Sequence, residues 1–378
     1  MRMSPITAIL VLVALTGCTS QRNSQKNSAV ARFTPQNSPS LSTYSIVAFD
    51  PDSGDLGVAV QSRFCGVGPV VPWVESGVGA IATQSYPNTS FGPRGLELLR
   101  GGKSAGETLD ALVKSDELRE RRQVAIVDTE GHSAVHTGNA CFAWAGGKTG
   151  KHYSVQGNIL VSKATVDAMA AAFESSSGEE LAERLMRALE AGQRAGGDVR
   201  GRQSAAMRVA RRGAGIGGND RYVWLDVQDH PRPVQELRRL LDRQFGKDTL
   251  SRARVARFRG RHDEARQLYL EAERLEPENA QILIERAAVE FTAGKGELAE
   301  KTIEKALALD PHYDNLLYQS GRLLLGAGKL KKAVTLLEKL VDKTPAYRDR
   351  LKYDVTTGNA PFFEAAAKAI REAGLIND

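Results

Sequence analysis

Past residue 246 the chain repeats itself every 34 residues, and no other feature constrains its fold so tightly. Ala265, Ala299 and Ala333 stand one period apart, as do Pro277, Pro311 and Pro345. Tyr269, Ile303 and Leu337 keep the same step, and so do Ala272, Ala306 and Leu340. Gly260, Gly294 and Gly328 mark a turn inside each unit. A small residue at a fixed place lets two helices approach, and a proline breaks the helix where the next unit begins. Each unit is one helical pair that buries its apolar face only by stacking on its neighbours. Residues 246–347 are therefore expected to form an all-α solenoid of three units.

This pattern is similar to the tetratricopeptide repeat. The resemblance implies a curved array whose concave face binds a protein or peptide, with a spacer or dimerising arm as the other reading. The leading helix of the first unit, around Ser251 to Phe258, is polar and departs from the pattern. Residues 348–378 are expected to end the array in a capping helix, Ala360 to Leu375, preceded by the helix-breaking Gly358-Asn-Ala-Pro361.

The start of the chain carries a different signal. Arg2 precedes an apolar run from Ile6 to Leu15, a basic start and short apolar core that mark an export signal in residues 1–17. Leu15-Thr16-Gly17-Cys18 resembles the bacterial lipoprotein box, which implies cleavage before Cys18 and acylation of that residue. Thr19 in place of an acid resembles the sorting pattern for an outer membrane, so the expected location is a lipid-anchored cell-envelope protein facing the periplasm. Each buried methylene of an acyl chain contributes about 0.8 kcal/mol, so several chains hold firmly. No later stretch is apolar for long enough to span a bilayer. Residues 18–42 are rich in Ser, Gln, Asn and Thr and read as a disordered tether with an average reach of roughly 25–30 Å. Beyond the anchor only Cys65 and Cys141 remain; the sequence leaves open whether they pair or are separate small residues. The net charge of +6 falls to +5 once Arg2 leaves with the signal, and it is dispersed among carboxylates. That distribution lacks the basic stripe that nucleic-acid binding needs.

Residues 43–245 are long enough for one sizeable core. Period-two apolar runs predict strands at 44–49, 56–60, 80–83, 123–127, 134–136, 154–161, 204–210 and 222–227. Helical patterns fall at 93–100, 104–114, 163–174, 179–194 and 234–244. This order predicts an α+β fold, two sheets between helix layers, rather than an alternating doubly wound one. The first two strands, joined by Pro51-Asp-Ser-Gly54, open with the hydroxyl of Thr43 and close with Gln61-Ser62-Arg63.

The stretches Thr43-Tyr-Ser-Ile-Val-Ala, Gly57-Val-Ala-Val-Gln-Ser-Arg63, Gly77-Val-Gly-Ala-Ile-Ala-Thr-Gln84 and Gly92-Pro-Arg-Gly-Leu96 resemble the bacterial family called domain of unknown function 1028. Tyr153-Ser-Val-Gln-Gly-Asn158, Gly196-Gly-Asp-Val-Arg-Gly-Arg-Gln-Ser204 and Asp229-His-Pro231 continue the match through nearly the whole domain. The resemblance implies an αββα sandwich like that of the N-terminal-nucleophile hydrolases, and hence amide hydrolysis by the first residue's side chain with its own α-amine as base. An unperturbed α-amine has a pKa of about 7.7–8.0, close to that of a working general base. Thr43 is then the expected nucleophile, with Ser45 on the same strand face as the second candidate. Gln61 stands where proteasome-type members place an acid. Arg63 is positioned to hold a substrate carboxylate as a fork, or to form a surface ion pair. Gln84 with Asn88, or Gln156 with Asn158, offer amide donors for an oxyanion, Asn158 foremost. Asp198, Arg200, Arg202, Gln203 and Ser204 read as a substrate pocket for an acidic or peptide-like group, or as a salt-bridged loop. Cys65 lacks a nearby histidine, the histidines lack metal-ligand spacing, and the Gly213–Gly218 run lacks the ending of a phosphate loop. No metal or cofactor is required.

The expected protein is an exported lipoprotein that hydrolyses an envelope amide and binds a partner through its repeats. The alternative is a non-catalytic envelope scaffold or ligand-binding module. The lipid on Cys18 and a free amine on Thr43 exclude each other on one uncut chain, and the polar tether shows no processing signal.

Overall fold

A computed structural model describes residues 43–358 and 364–376. The export signal, Cys18, the tether and part of the expected break at residues 358–361 lie outside the described residues. Ten strands come first in the order β1 Thr43–Asp50, β2 Asp55–Ser62, β3 Pro72–Glu75, β4 Gly79–Ser85, β5 Arg122–Asp128, β6 Ser133–Thr137, β7 Gly146–Gly150, β8 Tyr153–Asn158, β9 Ser204–Ala210 and β10 Arg221–Val227. Between them lie helices α1 Phe91–Arg100, α2 Ala105–Lys114, α3 Ala164–Ser175 and α4 Leu181–Arg194, with α5 Pro233–Phe258 following β10. The arm continues with α6 His262–Leu275, α7 Ala280–Thr292, α8 Gly296–Leu309, α9 Asp314–Gly326, α10 Leu330–Lys343, α11 Tyr347–Thr356 and α12 Glu364–Glu372.

The strands form a six-stranded sheet, β10-β9-β2-β1-β8-β7, and a four-stranded sheet, β3-β4-β5-β6. Alternation along β1 shows how they stack. Tyr44, Ile46 and Ala48 belong to a core shared with α3, α4 and α5, whereas Val47 and Phe49 meet Ala80, Ala82, Ala125 and Val127 of the second sheet. The far face of that sheet, through Ile81, Val124 and Ile126, packs on α1 and α2. This is the αββα sandwich expected from the sequence.

Gly92 shows how closely the outer layer is fitted. A Cβ there would stand 2.0 Å from the Trp73 ring, and the indole is pinned by its N–H bond to the Val70 carbonyl at 3.1 Å. Alanine in place of a helical glycine contributes about 1 kcal/mol of propensity, but overpacking costs about 1–3 kcal/mol. Gly92→Ala is therefore expected to lower the urea midpoint of unfolding.

Gly260, Gly294 and Gly328 end α5, α7 and α9 at φ of +71°, +73° and +72°, a left-handed turn that recurs with the sequence period. Ala265, Ala299 and Ala333 are fully buried between paired helices. Three expectations change. The helices expected at 234–244 and 251–258 are one 26-residue helix, α5, which packs on β9 and β10 with its first half and on α6 with its second. Residue 246, the expected boundary, thus falls inside a continuous helix, since Gly246 sits closely against Glu276 and no proline interrupts it. The single capping helix is two, α11 and α12. Finally, strands β3 and β7 were not expected. No described helix is long and apolar enough to cross a membrane.

Candidate functional site

The register of β1 sets Thr43 opposite Ser62 of β2 on one side and Asn158 of β8 on the other. Alternation turns Thr43 and Ser45 toward the second sheet, where Gln84 is the last residue but one of β4 and Gln123 the second of β5. Thr43 Oγ1 donates to Ser62 Oγ at 3.1 Å. Ser45 Oγ donates to Gln84 Oε1 at 2.6 Å and accepts from Gln156 Nε2 at 2.6 Å. Gln84 Nε2 donates to the Thr43 carbonyl at 3.3 Å and to Gln123 Oε1 at 2.8 Å. Gln123 Oε1 also accepts from Asn158 Nδ2 at 3.0 Å, while its Nε2 reaches Thr137 Oγ1 at 3.0 Å and the Gly157 carbonyl at 2.8 Å. Thr43, Ser45, Ser62, Gln84, Gln123, Gln156 and Asn158 are all fully buried.

Gln123 fixes the direction of this network. Its carbonyl oxygen accepts from two amides, so Gln84 and Asn158 must both turn their NH2 groups toward it. Gln84 then presents its oxygen to Ser45, the serine hydrogen is committed to Gln84, and its lone pair meets Gln156. The set is wholly neutral. It holds amide donors that suit a developing oxyanion, but no carboxylate, imidazole or amine to take a proton. Two non-glycine residues in the left-handed region, Ser85 at φ +70° and Ile159 at φ +52°, follow Gln84 and Asn158 directly. The backbone is strained where these strands leave the site, most of all at the β-branched Ile159.

Of the expected site residues, Thr43, Ser45, Gln84, Gln156 and Asn158 come together. Gln123 was not foreseen; its signal was the polar residue that β1, β2, β4, β5 and β8 each place at the same end of the sandwich. Asn88 does not join. Its side-chain N–H donates to Asp116 Oδ2 at 2.9 Å and its oxygen accepts from Ser90, because the turn after β4 carries it toward α2. Arg122, fully buried, donates to the same carboxylate at 3.0 Å. Burial pushes the Asp116 carboxyl up, but the bonds from Asn88, Arg122 and the Leu118 N–H outweigh it and hold the pKa below the usual range. A depressed folded-state pKa contributes stability above the unfolded value of about 3.9 and loses it as pH falls. The unfolding midpoint is thus expected to drop on acidification below about pH 4, with a shallower slope in Asp116→Asn.

Gly197–Ser204 is mainly a brace. Asp198 Oδ2 accepts from the Arg63 N–H at 2.9 Å, and its Oδ1 accepts from the Arg200 N–H at 2.8 Å. The Arg200 guanidinium closes on the same carboxylate at 3.4 Å. Ser204 donates to the Phe64 carbonyl and accepts from the Val67 N–H, and the Gln203 N–H donates to the Ser62 carbonyl. Asp198 and Ser204 therefore do not face a ligand as expected, because backbone groups of the loop after β2 occupy their polar atoms. Arg63 and Arg202 remain exposed. Gln61 points to the helix side of the sheet, fully buried, with neither amide atom hydrogen-bonded. Cys65 and Cys141 are both free thiols, and no group of three or more His, Cys, Asp or Glu among the described residues is placed to hold a metal. On the arm, a groove of about 480 Å³ is lined by Arg257, Ile284, Glu285, Phe291, Gln319 and Arg322.

Residues 43–237 match the model of a family of unknown function, DUF1028, and residues 291–352 match that of the tetratricopeptide repeat. Among solved structures, protein SPO2555 from Silicibacter pomeroyi, also described by that first family model, is 31% identical with a TM-score of 0.49, over 53% of this chain and 85% of its own. The first repeat domain of Spaghetti (RPAP3), bound to the HSP90 peptide SRMEEVD, is 20% identical with a TM-score of 0.27, over 35% of this chain and 92% of its own. The Arabidopsis OM64 repeat domain is 16% identical with a TM-score of 0.27, over 35% and 97% respectively. No curated protein matches.

Proposed function

Since the chain belongs to the family of unknown function DUF1028 through residues 43–237, we propose that its sandwich is a latent amidohydrolase of the N-terminal-nucleophile type. Cleavage at Ser42–Thr43 activates it. The observation that supports this reading is the position of Thr43. Its hydroxyl lies at the start of β1 against Ser62 and its carbonyl takes an amide N–H, within a network that has donors but no base. Only an α-amine at Thr43 completes the machinery. Thr43 then attacks the amide carbonyl, its proton passes to the amine and on to the leaving nitrogen, and water releases the acyl group. Asn158 and Gln84 orient the site from within the network.

Before that cut, acylated Cys18 holds the protein to the envelope, and the cut frees it. The repeat groove recruits a protein or peptide partner of the same compartment. Intact-mass analysis and N-terminal sequencing of protein from membrane and soluble envelope fractions test the scheme. An acylated form beginning at Cys18 and a soluble form beginning at Thr43 are expected. A chain that is never cut would leave the non-catalytic reading, which the complete burial of Thr43 favours.

A further inference from the structure

The end of the sandwich that carries Thr43 also carries a mixed apolar and cationic rim. Strand register places Arg63 one residue past Ser62 and Ile159 one residue past Asn158, so the two flank the approach to Thr43. Three loops are tied together there. The Ile159 N–H donates to the Phe142 carbonyl at 3.0 Å, the Val199 N–H to the Ile159 carbonyl at 3.1 Å, and the Val161 N–H to the Gly197 carbonyl at 3.0 Å. On these loops Phe142, Val161 and Val199 are 54%, 55% and 60% exposed. Three large apolar side chains exposed on one rim, with no described residue covering them, mark a candidate binding surface.

The cations lie on the other side. The Arg63 stem passes 3.9 Å from where a Cβ on Gly201 would stand, so it lies beside the backbone that leads into the exposed Arg202. Burial drives the Tyr44 phenol far up, with Arg202 pulling it back and Asp198 pushing it further. Asp198 is the acid of this loop, and it is buried and engaged with backbone N–H groups and Arg200. Among the described residues neither Arg63 nor Arg202 has a carboxylate within ion-pair distance.

We propose that this rim binds amides that join an apolar acyl group to a free carboxylate, as in N-acyl amino acids, with the acyl chain on Phe142, Val161 and Val199 and the carboxylate between Arg63 and Arg202. The inference names the substrate class of the site proposed above and rests on that reading for turnover, but not for binding. A guanidinium pair recognises a carboxylate by bonds in which both partners are charged, and gains less from a neutral amide oxygen.

The test is the affinity of the uncut, unacylated protein for N-octanoyl-L-alanine and for N-octanoyl-L-alaninamide, by isothermal titration or ligand-observed NMR. The acid is expected to bind about ten-fold tighter or more, the size of one charge-assisted pair. In the double variant Arg63→Gln with Arg202→Gln, both exposed, that ratio should fall to about one. Phe142→Ser should weaken both ligands together. Equal affinity for acid and amide in the native protein overturns the inference, as does a ratio that survives in the double variant. Preserved discrimination without hydrolysis by the cut form would sink only the catalytic reading, so the two failures are distinguishable.

Discussion

Protein that begins at Thr43 is expected to hydrolyse an amide probe at least about 100-fold faster than the same chain carrying residues 18–42. The argument is one of missing chemistry. Ser62, Ser45, Gln84, Gln123, Gln156 and Asn158 satisfy the hydroxyl and carbonyl of Thr43 and its neighbours, yet none of them has a proton affinity suited to general-base work near neutrality. A liberated α-amine does, and positioned general bases contribute about 10²–10⁴-fold. The measurement is kcat/KM on a panel of acyl p-nitroanilides, with Thr43 exposed by a fusion protease that leaves no residue behind. The amine works unprotonated, so the rate should rise with pH through about 8 and level off above it. Thr43→Ser should retain activity and Thr43→Ala lose it, both with near-native unfolding midpoints. An uncut chain as active as the cut one would remove the amine from the mechanism.

Glu290→Ala is expected to destabilise the repeat arm by about 3–5 kcal/mol, the cost of breaking a buried ion network from one side. Glu290 is fully buried on α7. Its carboxylate accepts from Thr302 Oγ1 of α8 at 2.8 Å and faces Arg286 Nε at 3.3 Å and Arg266 Nε of α6 at 3.4 Å. Arg286, itself nearly buried, also pairs with Glu273. Removing the acid leaves the Arg266 charge of α6 and the Arg286 charge of α7 without the carboxylate between them. An exposed pair such as Lys114–Asp110 is worth about 1 kcal/mol or less, so Asp110→Ala serves as the contrast. Thermal unfolding of the full chain followed by helical circular dichroism measures both. Glu290→Gln, which keeps the contact with Thr302, should fall between them. A native midpoint in Glu290→Ala would mean that solvent reaches the two arginines.

Much of this architecture was readable one residue at a time. The 34-residue step located the buried Ala265, Ala299 and Ala333 and the left-handed Gly260, Gly294 and Gly328 of the arm, because each repeat meets only its neighbours and so repeats its environment. Period-two alternation found eight of the strands. β3, four residues long, and β7, Gly146-Gly-Lys-Thr-Gly150, have no such pattern and exist through pairing with β4 and β8. The continuity of α5 was hidden for a related reason. Its apolar stripe changes face where it leaves the sheet for α6, so the pattern read as two helices.

For the site, the division is similar. That Thr43 opens the first strand and that Ser45 shares its face follow from the sequence alone, since strand alternation is a local property of the backbone. Which polar groups those hydroxyls meet was decided only by the stacking of two sheets. It brought Gln84 and Gln123 to β1, left Gln61 on the other face, and sent Asn88 to Asp116. The chain's own periodicities report which side of an element is buried. They do not say which residue some forty or a hundred positions away will lie across from it, because that pairing comes from packing between sheets and not from any repeat along the backbone.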